Sequence, residues 1–264
     1  MKYSLVKLFL AIWIIIVCAG ALTAQSKLER YKPRKDNAPV PRQPYERYFT
    51  RDRFDREITF YVSETESRQQ PLPLIVFIQG SECSSLFHRQ NGIVVPSLGH
   101  ISLQEVTAGK ARVLIVEKPG IKFLDQSQGG CASEFNREHT LERWAEAVEA
   151  AIRAAQELPQ VQKNRTLVMG HSEGGLVACR VARDLPEIIT HVASLAGGGP
   201  SQLFDLLTLA RKGNFFRNVA EDPEARVKYL LDQWQAIQSD PMSAEKLFLA
   251  LLTVGGQRFW PLHR

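Results

Sequence analysis

In this 264-residue chain, the residues with the clearest chemical potential are Gly170-His171-Ser172-Glu173-Gly174-Gly175. Their G-x-S-x-G pattern follows the apolar run Leu167-Val168-Met169 and precedes an apolar-faced stretch. That strand–turn–helix setting is the one in which such a serine acts as a nucleophile. A serine on a sharp, strained turn leaves no room for side chains at Gly170 or Gly174. A helix starting at Glu173 turns its unpaired N–H groups and the positive end of its dipole toward the same point. The Glu173 backbone N–H is therefore a candidate donor to an oxyanion formed at Ser172. The plainer reading of Ser172 is a residue capping a helix after a tight glycine turn. A second donor is expected from the loop after the second apolar strand, Gln79-Gly80-Ser81-Glu82-Cys83. There Gly80 permits close backbone approach, and Ser81 or Glu82 supplies the N–H.

Such a turn needs a sheet to carry it. Glu57–Ser63 alternates through Ile58, Phe60 and Val62, as a strand does. Leu72–Gln79, Arg112–Glu117, Thr166–Met169 and His191–Leu195 carry short continuous apolar runs bounded by turn residues. Runs of that kind suit strands buried on both faces of a parallel sheet. Leu141, Trp144, Val148, Ala151, Ile152 and Ala155 share one helical face at spacings of three and four. A second helix follows Gly170 through Leu176, Val177, Val181 and Ala182, and stops at Pro186. Alternating strands and helices predict an α/β fold, a mostly parallel sheet with flanking helices and ligands beyond the carboxyl ends of its strands. After Ser201, helical stretches near 202–211, 223–238 and 243–252 follow one another without a strand, which reads as a helical cap. The expected organisation is a signal peptide at 1–24, an extended polar arm at 25–56, a core at 57–200, and a cap with a truncated C-terminus at 201–264.

The GHSEGG stretch, the buried strands before it and the turn Glu117-Lys118-Pro119-Gly120 together resemble the α/β-hydrolase superfamily, in particular exported bacterial members of its serine-peptidase and esterase branches. The resemblance covers roughly residues 55–200 as core and 201–256 as cap. It implies a serine hydrolase that cleaves ester or amide bonds of a small molecule or peptide through an acyl-enzyme on Ser172. No metal or organic cofactor is implied, and the cap would shape the acyl pocket. In this family the order along the chain is serine, then acid, then histidine, with the last two on loops after two further strands. Two strand–helix units need about 60 residues, yet no apolar strand run follows Leu195. The chain is therefore expected to be an incomplete product whose sheet ends on an open edge exposing apolar surface. Asp205, shortly after the fifth strand, is the candidate acid, and His263 the candidate base. His171 is expected to point away from the serine as a packing residue, and His191 to lie at the far end of its strand. His88, His100 and His139 are expected at the surface. Two alternatives stay open: a binding module that keeps the fold without catalysis, and an enzyme that passes the acyl group to an acceptor other than water.

Charge and cysteines bear on location. The formal net charge is +5. Residues 27–56 hold ten Lys/Arg against five Asp/Glu, and Lys2 and Lys7 add two more, which leaves the remainder at −2. Basicity confined to the N-terminal segments argues for a solvated arm and against a nucleic-acid partner. Lys2 and Lys7, the apolar run Leu8 to Leu22 and the exit Thr23-Ala24-Gln25 describe a secretory signal cleaved after Ala21 or Ala24. That apolar run is shorter than the roughly 20 residues of a bilayer span. The mature protein is expected in the periplasm or outside the cell, with membrane contact only if the segment stays uncleaved. Disulfides persist there. A Cys83–Cys131 bridge joins two Gly/Ser-rich loops in this reading, Cys179 is a buried free thiol, and no cysteine spacing suggests a metal site.

Overall fold

The computed structural model describes residues 30–36, 45–64, 70–97, 100–126, 131–197 and 202–239. The signal peptide expected at 1–24, the cap helix expected near 243–252, and His263 lie outside them. The elements begin with β1 (Arg34–Lys35), β2 (Tyr45–Arg51), β3 (Glu57–Ser63), β4 (Leu72–Ile78), β5 (Phe87–Gln90) and β6 (Ile93–Pro96). Next come α1 (His100–Thr107), β7 (Arg112–Val116), α2 (Ser133–Glu138), α3 (Leu141–Gln156) and β8 (Val161–His171). The series continues with α4 (Glu173–Asp184), β9 (Ile189–Leu195), α5 (Gln202–Arg211) and α6 (Pro223–Ser239). Seven strands form one sheet in the order β1-β2-β3-β7-β4-β8-β9. Strands β7, β4, β8 and β9 are mutually parallel, and β1, β2 and β3 continue the sheet antiparallel. This is the α/β class expected from the alternating pattern.

Period-two geometry explains why the central runs are apolar throughout. In β7, Leu114 and Val116 enter the cluster under α3 and α4 with Trp144, Ile152 and Val177, whereas Val113 and Ile115 enter the opposite one with Tyr61, Leu86 and Phe87. Alternate side chains serve two layers, so neither face can be polar. Ala145, Ala147, Ala151, Ala154 and Ala155 of α3 are buried in the first cluster, and their small side chains let the helix lie close to the sheet. Thr140 caps that helix, its hydroxyl accepting from the Arg143 N–H at 3.2 Å.

The polar arm ends earlier than its composition suggests. Tyr45–Arg51 pairs with β3 along its whole length, and Tyr45, Tyr48, Thr50 and Asp52 are buried. The basic surplus that reads as solvation is drawn into ion pairs. Arg34 meets Glu57 at 2.6 Å and Arg53 meets Glu142 at 2.7 Å. Arg56 joins Asp52 to Glu138 at the start of the helical layer. A hairpin unread in the sequence, β5–β6, turns on Asn91-Gly92 with φ of 51° and 77°, the two left-handed residues that a tight two-residue connection demands.

Helices α5 and α6 pack on each other around Leu206, Ala210, Phe216, Val227 and Leu230. Arg226 braces them by donating to the carbonyls of Ala210, Arg211, Ala220 and Glu221. Among the described residues no helix is long and apolar enough to cross a membrane.

Candidate active site

Strand β8 ends at His171 and α4 begins at Glu173, so a single residue makes the turn between them. That residue, Ser172, has φ 56° and ψ −125°, a strained conformation for a side chain other than glycine. The turn is pinned from two sides. The Ser172 N–H donates to the Leu195 carbonyl at 2.8 Å, and the Gly175 N–H donates to the Ser172 carbonyl at 2.9 Å. Its glycines are sterically fixed. A Cβ on Gly170 would lie 1.9 Å from the Gly174 carbonyl oxygen, and one on Gly174 would lie 2.3 Å from that of Ile78.

Beside the turn runs the loop that leaves β4. A Cβ built on Gly80 would stand 3.2 Å from the Ser172 Cβ and 3.7 Å from its Oγ, so these two segments are in contact. They open onto a cavity of about 500 Å³. Phe77, Gln79, Gly80, Ser81 and Glu82 line it from β4 and its loop, and Ser102, Leu103 and Val106 from α1. Met169, His171, Ser172 and Leu195 complete the wall. Among the described residues the helical part of this lining comes from α1, and neither α5 nor α6 contributes to it. The Ser81 N–H has no hydrogen-bond acceptor among the described residues. As the first residue of α4, Glu173 also has an N–H without an intrahelical acceptor. Cys83 at the end of the loop is bonded to Cys131, 48 residues away, with Cα atoms 5.5 Å apart. Cys179, expected to be buried, is exposed and free because it lies off the face on which Val177, Ala178 and Val181 pack.

The remaining expected residues are scattered. Asp205 sits in the first turn of α5, away from the cavity lining. His171 is exposed at the cavity wall and is not a packing residue. His191 is exposed, its Nδ1 3.0 Å from the Thr190 hydroxyl. His100 and His139, expected at the surface, are both buried. Among the described residues no imidazole hydrogen-bonds the Ser172 hydroxyl.

Sequence reasoning missed the charged group beneath the loop. Lys118 is 1% exposed, and its Nζ donates to the carbonyl oxygens of Gly80 and Glu82. The ammonium lies 4.5 Å from the Trp144 ring centroid and 5.7 Å from that of Phe135. Burial pulls its pKa down to about 7, against the attraction of Glu173, Glu82 and Glu117. The Glu173 carboxylate accepts from His139 Nε2 at 3.3 Å, and the imidazole stacks on Phe135. Glu117 accepts from the Ser85 hydroxyl at 2.6 Å, the Tyr61 hydroxyl at 3.1 Å and the Leu86 N–H at 3.2 Å. Burial still pushes its pKa up to about 7. The only trace in the sequence is a pair of opposite charges directly behind the run Val113-Leu114-Ile115-Val116.

No family model and no curated protein matches the chain. Among solved structures it is similar to Est1E from Butyrivibrio proteoclasticus, at 19% identity over 63% of this chain and 55% of that one, with a TM-score of 0.40. It is similar to brefeldin A esterase, a bacterial homologue of human hormone-sensitive lipase, at 16% identity over 65% of this chain and 44% of that one, with a TM-score of 0.38. A putative dipeptidyl aminopeptidase IV from Bacteroides ovatus matches at 15% identity over 60% of this chain and 22% of that one, with a TM-score of 0.43. The chain thus spans about half or less of the length of these structures.

Proposed function

We propose that the protein is an exported serine hydrolase in which Ser172 attacks the carbonyl of an ester or amide. The observation that carries this reading is the left-handed turn at Ser172, with φ 56° at a strand end, a helix starting behind it and a cavity in front. Ser172 Oγ bonds to the carbonyl carbon as its proton passes to a base, and the carbonyl electrons move onto oxygen. The N–H groups of Glu173 and Ser81 receive that oxyanion. Collapse expels the alcohol or amine, which takes the proton, and water repeats the sequence to release the acid. His263 is the base in this proposal and Asp205 the acid, with His171 as the competing base; labelling of His263→Ala and His171→Ala separates the two histidines. Phe77, Leu103, Val106, Met169 and Leu195 make the cavity suited to uncharged acyl groups, and Glu82 at its wall disfavours anionic ones. The Cys83–Cys131 bridge supports export to an oxidising compartment.

A fluorophosphonate probe tests the reading. Labelling at residue 172 that disappears in Ser172→Ala is the expected result. Folded, soluble wild-type protein that takes up no probe supports the second reading, a binding module. That reading is favoured by the lack of an imidazole on the Ser172 hydroxyl among the described residues.

A further inference from the structure

Lys118 is a buried cation that the reaction above does not use. Holding an ammonium at 1% exposure is costly unless its donors and its charge are both met. Here the donors are met by two carbonyls of a single loop, and the charge by two aromatic faces and nearby carboxylates. The geometry points to Lys118 as the positioning residue of the oxyanion site: its ammonium holds the Gly80 and Glu82 carbonyls beneath the loop and so turns the Ser81 N–H toward the cavity beside Ser172. The inference rests on the hydrolase reading of Ser172 and deepens it.

The physical link is the planar trans peptide, in which C=O and N–H point in opposite directions. Fixing the Gly80 oxygen on Lys118 fixes the Ser81 N–H on the other side of the same plane. Ser81 lines the cavity, and its N–H is unpaired among the described residues. Gly80 touches the serine itself. Glu173 ties the two donors together: its N–H opens α4, and its carboxylate faces His139 and attracts Lys118. The disulfide restrains the loop at Cys83, but it cannot set the orientation of a peptide two residues earlier. That task falls to the lysine.

Fluorophosphonate labelling of the full chain, resolved into probe affinity (KI) and bond formation (kinact), tests this. Lys118→Met keeps the length and the apolar stem, and is expected to lower kinact by about 10- to 100-fold while KI stays within about twofold. Ser81→Pro removes the N–H and leaves the lysine in place, so it is expected to give a comparable loss. The double variant should be no slower than Ser81→Pro alone, because both changes act through one donor. Multiplying losses would place the effect of Lys118 elsewhere and overturn the proposal. Undiminished kinact in folded Lys118→Met does the same. Should Lys118→Met not fold, undiminished kinact in folded Ser81→Pro overturns the proposal independently. A wild type that takes up no probe at Ser172 removes the hydrolase reading and this proposal with it, whereas a labelled wild type with unaffected variants removes this proposal alone.

Discussion

Strand β7 runs between β3 and β4 and is buried at each of its five positions, whereas β9 pairs with β8 and is nowhere fully buried. β7 carries the unbroken run Val113-Leu114-Ile115-Val116, and β9 ends in Val192-Ala193-Ser194-Leu195, with one polar residue among three apolar ones. Their company differs more. β7 has α3 against one face and α1 with the β5–β6 hairpin against the other. Among the described residues β9 is the last strand of the sheet, with Val192 44% exposed and Leu195 43%. An apolar run specifies a strand, while its burial is set by what the rest of the chain lays over it. The same contrast divides the cavity. Its Gly80–Glu82 wall stands on the braced half, tied by a disulfide at Cys83 and a buried ammonium, and its Leu195 wall belongs to the edge.

Four measurements test that contrast. Removing the bridge with Cys83→Ser and Cys131→Ser frees a loop spanning 48 residues on the braced half. The chain-entropy argument gives a loss of about 4 kcal/mol in urea unfolding, and an unchanged midpoint would show that the braced half does not need the bond. Leu114→Ala in β7 should cost about 3 kcal/mol through cavity formation. Leu195→Ala in β9 should cost well below 1 kcal/mol in the same assay, and equal costs would erase the distinction.

Acidification tests His100, which is buried with Nε2 donating to the Leu86 carbonyl at 3.2 Å and Nδ1 accepting from the Tyr45 hydroxyl at 3.1 Å. Burial holds its pKa at about 4, below the ordinary 6.5. The stability it contributes is therefore present above pH 6.5 and lost as pH falls toward 4, about 3 kcal/mol in all. Glu117, raised to about 7, acts with opposite sign over much of that window, gaining as the pH falls. For that reason wild type is compared with His100→Gln: their stability difference should shrink by that amount between pH 7 and 4, and a constant difference would mean that the imidazole is not held neutral. Last, Val192→Lys on the exposed edge should move stability by less than about 0.5 kcal/mol yet reduce self-association seen by light scattering. Unchanged association would mean that the edge is not a contact surface.

Much of the sheet is legible in short apolar runs, which mark β4, β7, β8 and β9, and in the alternation that marks β3, although β9 is left unburied. The helices α3 and α4 were found from spacings of three and four. The turn at Ser172 was legible for a steric reason, since only glycine tolerates the contacts at residues 170 and 174. β2 was not, because its polar alternation with Glu46, Arg47 and Arg51 reads as solvated until Arg47 meets Asp36 and the strand lies along β3. The hairpin at Asn91-Gly92 has a purely local signal, an Asn-Gly pair between two short strands. Cys179 was judged by its apolar neighbours along the chain and not by its helical face. Lys118 left almost no trace, since a lysine in a turn reads as solvated until Trp144, Phe135 and two carbonyls are brought around it.

The bond from the Ser172 amide to the Leu195 carbonyl fastens the sharp bend to the last ribbon among the described residues. Deuterium uptake at that single amide is therefore a gauge of how often the ribbon peels back. Whatever docks along the rim, or frays it, will be felt one hydrogen bond later at the hydroxyl.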